Sequence, residues 1–119
     1  MKTIHILEYI NIMKIIHQNL LDFLEEQQNE EEESQNFFKC LSDHNITKNK
    51  HDLRTLLYII AKISNNHYRN PHFFEKLELI LLFLKNDIKQ SYTNYEIFKI
   101  FSNSKRILLF LITENILIL

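Results

Sequence analysis

Among the 119 residues there is no glycine, and there is a single proline, Pro71. Average usage would place about eight glycines in a chain this long. Their absence decides which backbone shapes are open to it. Tight β-hairpins want glycine at φ > 0, so a hairpin-built sheet is disfavoured. Glycine-rich phosphate cradles, dinucleotide fingerprints and the G-x-S-x-G elbow are all missing. What remains is helix joined by short polar corners. With 45% hydrophobic and 12% aromatic residues, the chain has the apolar content to fold.

The apolar spacing supports that picture. Ile6, Ile10, Met13, Leu20 and Leu24 follow the i, i+3, i+4 rhythm of an amphipathic helix and predict one over 3–28. A second helix is expected at about 35–45, capped by Ser34 and apolar through Phe37, Phe38 and Leu41. Leu53, Leu56, Leu57, Ile60 and Ile63 predict a third over 51–65, its apolar face widened by Tyr58 and Ile59. The run from Pro71 to about Gln90 is apolar on most sides, so a central helix covered on more than one face is expected at 71–90. A short fifth helix carries Tyr95, Ile97, Phe98, Ile100 and Phe101. A last one begins near Lys105, capped by Ser102 or Asn103. The expected fold is all-α: five or six antiparallel helices packed as consecutive helical hairpins in one domain over 1–119.

Charge is uneven. The net value is −1, but "EEQQNEEEE" (25–33) is strongly acidic and reads as a solvated connector over about 25–34. The lysines are scattered singly, without the basic stripe of a nucleic-acid binder. Cys40 is the only cysteine, so no internal disulfide is available; it reads as a small apolar residue. Polar residues interrupt the first sixteen positions, so no secretory leader is expected. The runs 79–84 and 107–112 are too short to span a membrane. An intracellular, cytoplasmic setting without membrane or nucleic-acid partners follows.

"KISNNHYRNPHFF" (62–74) is where polar groups capable of chemistry crowd together. As a corner, it uses Asn65 or Asn66 to close one helix in the left-handed conformation that glycine would otherwise take. Asn70 caps the next helix and Pro71 fills its first turn, with His67 and Arg69 holding the bend. As a site, His67, Arg69 and His72 would serve a small enzyme or a metal. An i, i+5 histidine pair across a proline is poor ligand spacing, so the corner is preferred and no cofactor, metal or catalytic residue is assigned.

The end of the chain, 105–119, is apolar. Phe110, Leu111, Leu117 and Leu119 are expected to form an exposed interaction face. Leaving such residues wet forgoes about 1.5–3 kcal/mol each, which suggests a fragment truncated before further helical structure.

A resemblance adds to this. "KISNNHYRNPHFFEKLELILLFLKNDI" (62–88) resembles a segment of an expanded, trichomonad-type family of protist ankyrin-repeat proteins. There it lies in an all-helical N-terminal region of unknown function. "ILEYINIMKIIHQNLLDFLE" (6–25) is similar to that family's first helix, "NKHDLRTLLYIIAKISNNHYRNPHFF" (49–74) to its most characteristic stretch, and "SYTNYEIFKIFSNSKRILLFLITENIL" (91–117) to its lead into the repeats. No repeat of the T-P-L-H-x-A kind follows here. The resemblance implies a non-enzymatic scaffold for protein–protein interaction. Its partners would be downstream ankyrin repeats, or another copy through the C-terminal helix.

Overall fold

The structure is a computed structural model that describes residues 2–25, 30–65 and 72–118. Its α-helices are α1 (Lys2–Glu25), α2 (Glu30–Asp43), α3 (Lys50–Ser64), α4 (Phe73–Phe83), α5 (Lys85–Ser91), α6 (Asn94–Ile100) and α7 (Lys105–Thr113), with a 3-10 turn at Ile46–Lys48. Among the described residues there is no strand, and the fold is all-α. Where one domain was expected, the chain divides into two compact units, Met1–Asn45 and Ile46–Leu119. None of the described helices is long and apolar enough to cross a membrane.

In the first unit, α1 and α2 pack on each other. Phe23 stacks on Phe37 at 6.1 Å between ring centroids, and Phe38 meets Phe23 edge-on at 6.4 Å. The α1 stripe is buried at Met13, Ile16, Leu20, Phe23 and Leu24 but exposed at Ile6 and Ile10. Of the expected acidic connector, residues 30–33 are helical in α2, and residues 26–29 lie outside the described residues. Glutamate is a good helix former. Ser34 therefore lies inside the helix rather than capping it.

In the second unit, Asn49 caps α3 by accepting from the backbone N–H groups of His51 and Asp52. Leu53, Leu56, Leu57, Ile60 and Ile63 bury its inner face. The expected helix over 71–90 is two helices, bent at Leu84 (φ −90°, ψ −1°). The hydrogen-bond ladder runs on through the bend, from Leu84 N–H to Ile80 and from Ile88 N–H to Leu84. No proline or glycine marks the place, which is why the pattern hides it. Phe73, Leu77, Ile80, Leu81, Leu84 and Ile88 are buried. Leu79, Leu82 and Phe83 are exposed, so α4 is not enclosed all round. The 91–94 corner holds a capping box: Thr93 Oγ1 accepts from Glu96 N–H, while the Glu96 carboxylate accepts from Thr93 N–H.

The chain end corrects a second expectation. After α7, Asn115 adopts φ 57°. The N–H groups of Ile116 and Leu117 then donate to the Leu111 carbonyl at 2.8 and 3.0 Å. This left-handed closure carries the following apolar residues back onto the fold. Leu111, Ile116 and Leu117 are thus buried, not presented as a surface; Phe110 is half-buried, and Leu119 lies outside the described residues. The left-handed asparagines among the described residues are Asn45 (φ 54°) and Asn115. Of Asn65 and Asn66, either of them expected there, Asn65 is right-handed at φ −87° and Asn66 lies outside the described residues.

Replacing Asn115 by alanine puts a Cβ without a polar rescue into the left-handed region, at a cost of about 1–2 kcal/mol. Asn115→Gly relieves that strain and should match or exceed wild-type stability. Urea unfolding followed by far-UV circular dichroism measures both. Equal stability of Asn115→Ala and Asn115→Gly would contradict the closure.

Candidate functional site

The described residues of the second unit contain a groove between α3 and α6. On α3, Arg54, Tyr58, Lys62 and Asn65 succeed one another at intervals of three or four residues and so share a face. On α6, Tyr95, Glu96, Lys99 and Ile100 answer them. Two adjoining recesses of about 270 and 190 Å³ share Tyr58, Lys99 and Ile100 in their walls. The larger continues to Ser102, Asn103 and Ser104 in the turn before α7.

One end of the groove is held by Glu96. Its Oε2 accepts from Arg54 Nη2 at 3.1 Å and lies 3.7 Å from Lys50 Nζ. The Thr93 backbone N–H, followed by the Lys50 and Arg54 charges, holds the carboxyl below the usual glutamate range near 4.5. Beneath it, the buried Tyr92 hydroxyl donates to the Lys50 carbonyl. Lys50 and Arg54 sit 5.5 and 5.6 Å from its ring centroid. Burial pushes the Tyr92 phenol above its ordinary value.

The other end rests on two buried serines. Ser64 Oγ lies 2.6 Å from the Ala61 carbonyl and 2.9 Å from Ser104 Oγ. A hydroxyl has one proton to give. Ser64 therefore donates to the carbonyl and accepts from Ser104, which satisfies both. Ser104 stands at the N-cap of α7 in place of the expected Ser102 or Asn103, and makes no side-chain cap bond. Between the ends, Tyr58 is 45% exposed and Tyr95 72%. Lys62 and Lys99 are exposed and have no ion pair among the described residues.

The corner singled out in the sequence fares differently. Asn66, His67, Arg69, Asn70 and Pro71 lie outside the described residues. Asn65 lines the groove, and His72 Nδ1 lies 3.0 Å from Glu75 Oε2. Among the described residues no three His, Cys, Asp or Glu side chains gather as a metal site would need. Half-buried Cys40 has its thiol pushed up by burial and by Asp43, which suppresses the reactive thiolate. Of the expected C-terminal face, Phe110 lines a separate recess of about 270 Å³ with Glu78, Arg106, Leu109 and Thr113. There Arg106 covers the Phe74 ring at 4.0 Å.

Sequence reasoning passed over Tyr58, Lys62, Tyr95 and Lys99. In the sequence Tyr58 belongs with the apolar face of α3, and the lysines stand singly. The i, i+4 spacing of 54–58–62 and of 95–99 was the available signal. Comparison with protein-family models, curated proteins and solved structures finds no match.

Two outcomes test this geometry. Glu96→Gln keeps the capping box and removes the charge. Because the folded carboxyl titrates below its unfolded value, its contribution is complete above about pH 4.5 and is lost as pH falls through the folded value. The variant should be less stable at neutral pH, and its deficit should shrink in acid; a deficit that does not change with pH would refute the charge role. For the serines, a Ser64→Ala/Ser104→Ala double-mutant cycle should give a coupling of about 1 kcal/mol. Strict additivity would show that the two hydroxyls are independent.

Proposed function

We propose that the chain is a non-enzymatic protein–protein interaction module that docks a partner in the α3–α6 groove. The observation that carries it is the pair of exposed tyrosines, Tyr58 and Tyr95, held on two different helices over the same recess. Tyrosine buries a large apolar ring for little conformational entropy and keeps a hydroxyl for hydrogen bonding, which makes it a frequent interface anchor. Helices hold such anchors more firmly than loops do. The likeness of 62–88 to the N-terminal region of protist ankyrin-repeat proteins supports the same class of role, a scaffold beside a repeat array.

A photo-reactive phenylalanine analogue at position 95 should capture a discrete partner, while the same group at Lys39 on α2 should not. Tyr58→Ala should weaken the captured complex by about 2 kcal/mol or more with unchanged helix content. Equal capture from both positions, or indifference to Tyr58→Ala, would remove the groove from consideration.

A further inference from the structure

The groove has a sign. Three of the fourteen basic and nine of the fifteen acidic residues lie in Met1–Asn45, which leaves eleven basic against six acidic in Ile46–Leu119. Within the groove, Glu96 is spent on Arg54, Lys50 and the Thr93 backbone. Lys62 and Lys99 are left on opposite walls with no anion of their own among the described residues. Around them stand further donors: Asn65, Ser102 and Asn103. Two unpaired ammonium groups facing a recess raise the local concentration of anions and favour carboxylates between them.

We propose that the α3–α6 groove binds a short acidic segment of a partner protein, with carboxylates on Lys62 and Lys99 and an apolar side chain seated against Tyr58 and Ile100. The proposal rests on the interaction-module reading above and names the chemistry of its partner. The size of the site fits. From Arg54 to the C-cap Asn65 is eleven steps along α3, or about 16 Å, the reach of about five extended residues. A nucleic-acid backbone suits it less well, because duplex binding needs a continuous basic stripe and many phosphate contacts.

The probe is a fluorescein-labelled peptide with the core Glu-Glu-Leu-Glu-Glu, titrated with the full chain and followed by anisotropy. Parallel titrations use a Gln-Gln-Leu-Gln-Gln core and an oligothymidylate of similar length. The acidic peptide should bind about tenfold or more tightly than the glutamine peptide, and more weakly as salt shortens the screening length. Lys62→Glu combined with Lys99→Glu should cost about tenfold or more, and the corresponding glutamine pair less. Lys39→Glu, on α2, should leave binding unchanged. Equal binding of both peptides, or indifference to the Lys62 and Lys99 changes, would overturn the proposal; so would preference for the oligothymidylate, which would make the groove a nucleic-acid site. Photo-capture at position 95 separates the two levels. A partner displaced by the glutamine peptide but not by the acidic one keeps the interaction module and removes its acidic ligand. No capture and no peptide binding removes both.

Discussion

The Glu96 carboxylate joins the starts of two helices in the second unit. One oxygen closes the capping box that starts α6; the other receives Arg54 and faces Lys50 near the start of α3. The same two cations cover the Tyr92 ring, whose hydroxyl ties the corner after α5 to the Lys50 carbonyl. Side-chain bonds from one carboxylate thus fix the entry of one helix against the entry of another. Exposed ion pairs are individually weak. Here the pair is backed by a backbone bond and a buried phenol, and such networks are worth more than isolated contacts. The α3–α6 groove inherits its width from this arrangement, because Arg54 and Glu96 are part of its wall.

A chain without glycine must still end its helices, and asparagine does so here. Asn45 closes α2 and Asn115 closes α7, both left-handed. The closure at Asn115 decides the fate of the chain end: it returns Ile116 and Leu117 to the core, with Leu111 accepting both of their N–H groups. Ile116 and Leu117, costly to leave wet when read as a string, are covered once that one backbone inversion is known. Its neighbour Ile118 is 56% exposed, and its N–H donates to the Asn94 side chain beside α6.

Helix existence could be read from the sequence because it rests on local periodicity. The boundaries of α3 came within a residue, since the leucine spacing leaves little choice. The bend at Leu84 could not be read: it has no proline or glycine, and an apolar run offers no polar face to show a change of direction. The glutamates of 30–33 misled for a related reason. Like charge suggests a solvated connector, while helix propensity favours the helix that forms. The groove was hidden because its parts lie some forty residues apart. Tyr58 and Lys99 become neighbours only when α6 is set against α3, and no spacing rule within either helix reports that.

The uneven burial along α1 has a dynamic consequence. The apolar stripe of α1 is buried from Met13 to Leu24, whereas Ile6, Leu7 and Ile10 keep much of their surface in water. Backbone hydrogen bonds around Ile6–Ile10 therefore lack the packing that holds those around Leu20. Amide exchange along this one helix should be graded, rapid through local opening in its early turns and limited by cooperative unfolding near Leu20–Leu24. A single element would then report two free energies, one for fraying and one for the unit as a whole.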